Sequence, residues 1–341
     1  MKLGIVCKGS TELGLGHLLR TRSFVQSIEH LHEVTVFASV GPGLESTFSE
    51  TTADVRFFSH EHELVDLVGD LDILLFDLTH LDDWTFFKLK HRAKLIASIS
   101  PVFNQAKHVN VFFTRNRNYT PMPGVKIFGG MEFAIFNHHC KPIDAETYER
   151  NLGSSDFPIA VCMGGGDAAN KTLAVLEALV SIPVPCTIWV LLGEGYSHSY
   201  AQLVDTIRGN LRHEVVLAKT NRSMWNVMSN CVVGIMAGGL TAVEAIYAGL
   251  PTINLFDRKE HYEMLEELFD ARVCLNGGVF SEGALGVLPK TLVALHHDRS
   301  RLREIRLRGQ GVVDQNGSLR VLRILEDELA ARSWPIERGA L

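Results

Sequence analysis

The histidine at position 17 lies where a glycine-containing turn becomes an amphipathic segment, within ELGLGHLLRTRSF (12–24). Gly14 and Gly16 allow the backbone to turn sharply and to approach a ligand closely. We predict a helix over 17–29, whose positive end would disfavour a protonated ring at His17. A neutral imidazole can take a proton from water or from a hydroxyl, so His17 is a candidate general base. The alternative is a partly exposed histidine at a helix start.

An acidic residue ends the apolar run LDILLFD (71–77), which predicts a strand with Asp77 at its carboxyl end. A carboxylate at that place can bind ligand hydroxyls or orient a histidine. Thr79 follows two residues later and is a second candidate for contact with a ligand. The alternative is that Asp77 or Thr79 caps the next helix, which we predict over 82–91.

Two further stretches place glycines directly after apolar runs. In MGGGDAANKT (163–172), Gly165 and Gly166 belong to a turn that could wrap a phosphate, although the GxxxxGK[ST] pattern of a P-loop is absent. A flexible connection between strand and helix is the alternative. The turn around His17 is not a dinucleotide fingerprint either, because Leu19 stands where GxGxxG requires its third glycine.

The stretch AGGLTAVEAIYAGLP (237–251) carries the strongest signal in the chain. Gly238 and Gly239 open a predicted helix, where backbone N–H groups and the Thr241 hydroxyl would face an anion. Glu244 lies about one turn further along and could reach the ribose hydroxyls of a nucleotide. The alternative is that Glu244 is a plain surface residue.

Alternating strands and helices must position these residues, and this alternation predicts an α/β fold with parallel sheets covered on both faces. A Pro- and Gly-rich segment over 115–158 interrupts the pattern and predicts two domains, 1–145 and 155–341, the second with C-terminal helices. Ligands of open parallel sheets bind at the carboxyl ends of the strands, where all four stretches lie. The predicted strands cover 3–7, 33–39, 54–58, 71–77, 94–100, 109–113, 157–163, 187–193, 213–218, 231–237 and 250–256.

Composition excludes several classes of protein. The 341 residues carry a formal net charge of −6, which gives no basic footprint for nucleic acid. No apolar run is long enough for a transmembrane segment, and MKLGIVCKGS (1–10) is typical of a first strand rather than a signal peptide. Six scattered cysteines are typical of free, buried thiols in a reducing cytosol, so we predict a cytoplasmic protein.

Three polar clusters have simpler interpretations. His138-His139-Cys140 and HEHE (60–63) lack the spacing of metal ligands, so we predict no metal site. Arg299, Arg303 and Arg306 share one face of a predicted helix, where a solvated surface is expected. An anionic acceptor or peripheral contact with a membrane is the alternative for these arginines.

Taken together, these loops resemble the PseG/SpsG group of the GT-B superfamily, which is related at a distance to MurG. The group includes hydrolases of UDP-2,4-diacetamido-2,4,6-trideoxy-β-L-altropyranose and glycosyltransferases of the kind used in spore coat polysaccharide biosynthesis. The matching stretches occur in the family's order and span nearly the whole chain. They are GLGHLLR (14–20), LFDLT (75–79), GGGDAANKT (164–172), AGGLTAVEAIYAGLPT (237–252) and VVDQNGSLRV (312–321).

The resemblance implies two Rossmann-like domains that face each other across a cleft. UDP would lie on the C-terminal domain, over Gly238, Gly239, Thr241 and Glu244, and the sugar would lie toward His17. In hydrolases of this group the matching histidine activates water for the loss of UDP from the anomeric centre. Neither a metal nor another cofactor is expected, since the helix start holds the diphosphate.

Two stretches differ from the pattern of the hydrolases. The hydrolases usually carry Arg-x-Asp where this chain has Val6 and Lys8, although Ser10 is retained. They also tend to have Asn-Gln where this chain reads FDRKEHYEML (256–265). Both places are expected near the sugar, and the residues predicted on the sugar side are Ser10, Gly14, Gly16, Thr79, Glu260 and His261.

Three functions follow from the resemblance. The leading one is a UDP-sugar hydrolase in the biosynthesis of pseudaminic-acid-type nonulosonic acids or of surface polysaccharides, with His17 and Asp77 as catalytic residues. The second is a GT-B glycosyltransferase, which would pass the sugar to a glycan or another acceptor. The third is a catalytically silent protein that binds a nucleotide sugar.

Overall fold

The computed structural model describes residues 1–210, 212–219 and 224–333, leaving aside the side chains of Glu260 and Ser333. The chain forms two compact units. Unit 1 comprises Met1–Gly9, His17–Ile135 and the described residues from Gln315 onward. Unit 2 comprises Ser10–Gly16 and Phe136–Asp314. The last helix therefore groups with unit 1, whereas the predicted domains 1–145 and 155–341 assign it to the second half.

The helices and strands follow one another in an order close to the predicted one. From the start of the chain they are β1 (Lys2–Gly9), α1 (Gly16–Ile28), β2 (Glu33–Val40), β3 (Asp54–Phe57), α2 (Leu64–Leu67), β4 (Leu71–Asp77), α3 (Asp83–Leu89), β5 (Ala93–Ser98), β6 (Val111–Thr114) and β7 (Lys126–Gly129). The next are α4 (Ala145–Leu152), β8 (Phe157–Cys162), α5 (Lys171–Leu179), β9 (Cys186–Leu192), α6 (Tyr200–Arg208), β10 (Glu214–Lys219), α7 (Met224–Met228), β11 (Val233–Met236) and α8 (Leu240–Ala248). The last are β12 (Thr252–Phe256), α9 (Lys259–Glu263), α10 (Glu266–Asp270), β13 (Leu275–Val279), α11 (Glu282–His297), α12 (Ser300–Gly309) and α13 (Gly317–Ser333).

Unit 1 is built on a seven-stranded parallel sheet with the order β3-β2-β1-β4-β5-β6-β7. The register of β1 with β4 pairs Cys7 with Asp77, so the carboxyl ends of these two central strands lie side by side. Both faces are covered, because β4 is buried from Ile73 to its end and Phe24, Phe76 and Phe86 are fully buried. The sheet therefore brings Asp77 beside the loop that leads into α1.

Helix α13 completes the core of unit 1. Its Val321 and Leu325 are fully buried, and its Glu326 hydrogen-bonds His32 at 2.8 Å. Glu328 forms an ion pair with Lys126 of β7. The helix thus buries an apolar stripe while its acidic residues pair with basic groups of unit 1.

Unit 2 is built on a six-stranded parallel sheet with the order β10-β9-β8-β11-β12-β13. Strands β8, β11 and β12 are buried along their whole length, as the continuous apolar runs predict. Two Rossmann-like parallel sheets, one in each unit, confirm the predicted fold class. Within the described residues, no helix has the length and apolar composition needed to cross a membrane. The six cysteines are all buried, as predicted.

Several elements were not predicted or differ from the prediction, among them the short helix α2. Strand β7 and helix α4 lie within the Pro- and Gly-rich segment that predicted only a boundary, and Asp144 caps α4 by accepting from Thr147 N–H at 2.8 Å. Strand β13, with two glycines in its sequence, was missed because glycine weakens the strand pattern. The pattern over 258–269 predicts one helix, whereas the structure has two short helices there, α9 and α10.

Candidate functional site

The His17 ring is held by the carboxylate of Asp77. His17 is the second residue of α1, and its Nδ1 lies 2.7 Å from Asp77 Oδ1. The Asp77 side chain is 0% exposed, whereas that of His17 is 16% exposed. The buried carboxylate therefore fixes one side of a ring whose other side reaches the surface of unit 1.

Arg20 and Thr21, one turn along α1, complete the bonding of Asp77. Arg20 Nε donates to Asp77 Oδ2 at 3.0 Å and its Nη2 pairs with Oδ1, while the Thr21 hydroxyl donates to Oδ2 at 3.2 Å. Burial raises the pKa of Asp77, but the charge of Arg20 and the hydrogen bond from His17 outweigh it, so the net shift of this pKa is downward. Asp77 is therefore ionised at neutral pH.

The ionised carboxylate decides which ring nitrogen of His17 carries the proton. A carboxylate can only accept hydrogen bonds, so Nδ1 must be the N–H that donates to Asp77. Arg20 Nη2 lies further from Nδ1, at 3.0 Å, and cannot donate to a nitrogen that already carries a proton. In the neutral ring the lone pair is then on Nε2, which makes no hydrogen bond within the described part of the chain.

Of the roles left open for Asp77, the structure favours the orientation of His17. Both of its oxygens are already bonded to His17, Arg20 and Thr21, which leaves little room for ligand hydroxyls. The helix-capping alternative is wrong, since Asp82 caps α3 by accepting from Thr85 N–H at 2.9 Å. Thr79 is exposed, and its carbonyl accepts from Asn104 N–H at 2.9 Å.

The turn before His17 is shaped by Ser10 and Gly14. The Ser10 hydroxyl accepts from the N–H groups of Glu12 and Leu13, at 3.2 and 3.0 Å. Gly14 bridges back to Ser10 and has a φ of 86°, which a residue with a side chain rarely adopts. Gly16 is exposed, with open space where a side chain would point. Ser10 and Gly14 thus have a structural role, whereas any contact of these residues with a sugar stays a prediction.

Lys8, where the hydrolases usually have an acid, pairs with an acid of its own unit. Its ammonium forms an ion pair with Glu61 and donates to the carbonyl of His80 at 3.2 Å. Glu61 also accepts from Asp82 N–H at 2.6 Å. Glu61, one of the two acids of the HEHE stretch, is therefore engaged in an ion pair and a hydrogen bond. Within the described residues, no three His, Cys, Asp or Glu side chains are arranged to hold a metal ion.

Two glycines directly precede helix α8, and each is required or tolerated for a different structural reason. Gly238 has a φ of 64°, and a Cβ there would lie 2.2 Å from the ring of Phe256, so only glycine fits. Gly239 is the N-cap, with open space around it. Because glycine has no side chain, the N-cap of this nine-residue helix supplies no acceptor to the N–H groups of the first turn. An anion from outside the chain can take that place. Thr241 is partly buried in the first turn of α8, and its contact with an anion stays a prediction.

Glu244 is buried in the second turn of α8, with 4% of its surface exposed. Its Oε1 accepts from Asn137 N–H at 3.2 Å, and the Cys140 thiol donates to its backbone carbonyl at 3.3 Å. The alternative of a plain surface residue is therefore wrong. A buried carboxylate with this backbone partner is held in one place, as a residue that binds hydroxyls must be.

Helix α5, which follows the other glycine-rich turn, is capped by the chain itself. The buried Asp167 accepts from the N–H groups of Lys171 and Thr172, at 2.9 and 2.8 Å. Its own carbonyl accepts from His198 Nε2 at 2.8 Å. The place that a phosphate would take at the start of α5 is thus occupied by a carboxylate.

The glycines of this turn allow close packing within unit 2. A Cβ on Gly165 would lie 2.8 Å from the Leu15 side chain, and one on Gly166 would lie 2.5 Å from the carbonyl oxygen of Thr11. A Cβ on Gly193 would likewise lie 2.4 Å from the carbonyl oxygen of Gly165. These contacts explain the glycines without a ligand, so a phosphate role of Gly165 and Gly166 stays a prediction.

The loop after β12 presents a charged pair that the sequence analysis missed. Asp257 directly follows this strand, and its Oδ1 lies 2.7 Å from Lys171 Nζ. His261 is partly buried in α9, and the side chain of Glu260 lies outside the described residues. The lysine within GGGDAANKT is the one sequence signal that could have pointed to this pair.

Arg303 is exposed, but Arg299 is partly buried and Arg306 is buried, so the prediction that the three arginines share a solvated face is wrong. Arg299 donates to the carbonyls of Leu152 and Ser154 at 2.7 and 2.6 Å, and Arg306 donates to the carbonyl of Gly249 at 2.6 Å. Arg303 makes two hydrogen bonds to the Glu149 carboxylate, at 2.7 and 2.6 Å. They tie α12 to the rest of unit 2.

No family model matches the chain. The uncharacterized protein MJ1062 of Methanocaldococcus jannaschii is 22% identical over 283 residues, which cover 79% of this chain and 58% of that protein. The spore coat polysaccharide biosynthesis protein SpsG of Bacillus subtilis is 23% identical over an alignment of 355 positions, which covers 96% of this chain and 98% of that protein. The chain thus spans little more than half of the first relative and nearly all of the second.

Among solved structures, Anabaena Alr3699/HepE in complex with UDP is similar with a TM-score of 0.68 and 12% identity, over 97% of this chain and 100% of that one. Acinetobacter baumannii MurG is similar with a TM-score of 0.63 and 13% identity, over 96% of this chain and 100% of that one. The chain has a GT-B-type fold. Other structures of HepE hold UDP-glucose, or UDP and glucose.

In this GT-B-type chain the predicted residues fall into two groups. His17 and Asp77 are in direct contact in unit 1. Gly238, Gly239 and Glu244 lie together at the start of α8 in unit 2, the first two at its N-terminus and the third buried one turn on. Arg20, which the prediction did not include, lies one turn from His17 on the same helix, a spacing visible in GHLLR.

Proposed function

We propose that the protein is a nucleotide-sugar enzyme that breaks the bond between the anomeric carbon of a sugar and UDP. The observation that carries the proposal is the uncapped glycine start of α8, with the buried Glu244 one turn further on. SpsG, a relative over almost the full length, and structural neighbours crystallised with UDP or UDP-glucose support it.

In this proposal the start of α8 binds the diphosphate, because free N–H groups and the helix dipole favour negative charge. Gly239 leaves room for the phosphates, and Gly238 gives the backbone its turn. Glu244 accepts hydrogen bonds from the ribose hydroxyls. Negative charge grows on the diphosphate as the sugar departs, so these N–H groups stabilise the leaving group, an effect of about 3 kcal/mol for one well-aimed donor.

His17 is the base in this proposal. Nε2 takes a proton from water while the water oxygen bonds to the anomeric carbon and the bond from that carbon to the UDP oxygen breaks. The products are the free sugar and UDP. Asp77 acts as a positioning residue, since it holds the tautomer that leaves Nε2 without a proton and compensates the charge of the imidazolium that forms. The most specific version of this proposal is that the substrate is a UDP-sugar precursor of a pseudaminic-acid-type sugar.

A glycosyltransferase is the second candidate. The Lys8–Glu61 ion pair, at a position where the hydrolases usually have an acid, favours a different sugar-side environment. SpsG is a spore coat polysaccharide biosynthesis protein, and a role in making a polysaccharide is compatible with transfer. His17 would then take the proton of an acceptor hydroxyl instead of a water proton.

The deciding experiment measures UDP release from a panel of UDP-sugars, with and without glycan acceptors, and identifies the sugar product by mass spectrometry. Rapid release without an acceptor supports hydrolysis, and release that needs an acceptor supports transfer. Tight binding of UDP-sugars without turnover in either assay indicates a silent binding protein. If the protein binds none of the UDP-sugars, all three functions (hydrolase, glycosyltransferase and silent binding protein) are refuted.

A further inference from the structure

Lys171 is a buried lysine at an unfavourable place. It is 4% exposed and is the first residue of α5, where the positive end of the helix dipole opposes a positive charge. Lysine is almost never this buried unless its ammonium is paired. The chain has therefore placed a cation at the carboxyl edge of the sheet of unit 2 at a cost in stability.

The partner of this lysine is accessible to solvent. Lys171 Nζ lies 2.7 Å from Asp257 Oδ1, and the Asp257 side chain is 50% exposed. Water screens a carboxylate of this exposure, so the pair contributes less than a fully buried one would. An anion that meets the ammonium away from water can compete with Asp257.

The strand order of the sheet shows that this ion pair lies beside the start of α8. Lys171 belongs to the helix that follows β8, and Asp257 directly follows β12. Strand β11 lies between these two strands in the sheet, so the ion pair spans the carboxyl end of β11. Gly238 and Gly239 begin α8 at that same end, and the Gly238 backbone faces the ring of Phe256, the neighbour of Asp257 in the sequence.

We propose that Lys171 is the exchangeable counter-ion of the nucleotide diphosphate. Its ammonium is held by Asp257 in the free protein, passes to the phosphate oxygens when a nucleoside diphosphate binds at the start of α8, and returns to Asp257 on release. This inference rests on the proposed function and adds to it a binding residue that no glycine motif supplies. The exchange breaks one ion pair and forms another, so the buried charge is compensated throughout.

Asp257 has a defined role in this exchange, which is to compete with the phosphates. In its presence each binding event must first break the ion pair with Lys171, so Asp257 weakens the affinity for the nucleotide and speeds release of UDP. Lys171 and Asp257 should therefore affect UDP affinity in opposite directions. A purely structural ion pair would not produce this opposition.

The test is calorimetric titration of the full chain with UDP and with uridine, which lacks phosphates. We expect Lys171→Gln to raise the Kd for UDP about tenfold, because a charge-assisted bond is lost, and to leave uridine binding unchanged. We expect Asp257→Asn to lower the Kd for UDP about threefold. The double variant should behave as Lys171→Gln does, since Asp257 acts only through the lysine. Glu149→Gln, which breaks the exposed ion pair with Arg303, is the matched control and should change neither titration.

The two variants also separate failure of the inference from failure of the proposed function. If Lys171→Gln does not fold, Asp257→Asn still decides, because it changes a half-exposed side chain to one of the same shape. Binding of UDP that Asp257→Asn weakens or leaves unchanged would overturn the exchange while leaving the nucleotide site intact. A wild-type protein that binds no UDP would refute both the site at α8 and the role of Lys171.

Discussion

Helices α5 and α8 of unit 2 begin alike and differ in one group. Each follows a buried strand through a glycine-containing turn, and each turn matches a stretch typical of phosphate contact. At α5 the Asp167 carboxylate accepts from two N–H groups of the first turn, whereas α8 begins at Gly239 without a side-chain acceptor. A glycine-rich turn is thus insufficient evidence for an anion site. What decides is whether the chain supplies an anion of its own.

The largest expected effect separates chemistry from binding at α8. His17→Ala should lower turnover of the true UDP-sugar by at least about a hundredfold, as the loss of a general base does, while UDP affinity stays within about twofold. Stopped assays of UDP release and calorimetry measure the two quantities. His32→Ala is the matched control, because His32 Nε2 has a carboxylate partner at 2.8 Å in the same unit. Equal turnover in both variants would rule out His17 as the base.

The second-largest effect is expected from a variant in which the start of α8 carries a carboxylate, as the start of α5 does. Gly239→Asp places a carboxylate at the N-cap, where the surrounding space is open and Asp is a preferred residue. We expect helix capping to raise the melting temperature slightly and UDP affinity to fall about a hundredfold, as the carboxylate occupies and repels the phosphate position.

Gly239→Asn controls for the shape of the new side chain without its charge. It should keep a larger share of the UDP affinity than Gly239→Asp. If both variants bind UDP as the wild type does, the diphosphate is not held at the start of α8.

A third prediction concerns Asp77, a buried carboxylate that holds a histidine instead of capping a helix. Asp77→Asn should lower the free energy of unfolding by about 3 kcal/mol at neutral pH, because it leaves Arg20 without its charged partner. Since the pKa of Asp77 is lowered in the folded state, its contribution is present above its ordinary pKa and is lost as the pH falls through the folded one. Urea unfolding should show the deficit of the variant shrinking below about pH 4. A deficit that does not change with pH would contradict the ion pair.

The smallest expected effect is that of removing the carboxylate that caps the start of α5. Asp167→Ala removes the cap and should cost about 1 kcal/mol in unfolding free energy, with UDP affinity unchanged. Asp144→Ala, which removes the cap of α4, is a matched loss of the same kind of bond. A large fall in UDP affinity in Asp167→Ala alone would show that the glycine turn before α5 also contributes to the nucleotide site.

The sequence was most informative where local patterns decide the structure. The two glycines and the apolar periodicity after them predict a helix over 240–248, and α8 has those bounds. Continuous apolar runs also predict the central strands of both sheets. Short elements that local patterns describe poorly were missed, such as β7 at the edge of its sheet and the glycine-containing β13.

Long-range partners could not be predicted in the same way. Arg20 reaches Asp77 across 57 residues of sequence, and Lys171 reaches Asp257 across 86. Only the strand order brings these residues together, and the sequence spacing carries no trace of it. The Glu244 carboxylate likewise accepts from Asn137, which lies 107 residues earlier in the chain.

The place of α13 in unit 1 has a consequence for the order of folding during synthesis. The ribosome makes β1 to β7 first, but Val321 and Leu325, which close their core, follow only after all of unit 2 has been translated. Until then the sheet of unit 1 has an uncovered apolar face, and chaperone binding and aggregation compete with its folding. Unit 2, except for residues 10–16, is contiguous and can form its core before α13 is translated. Of the two units, the one whose strands are translated first is thus completed second.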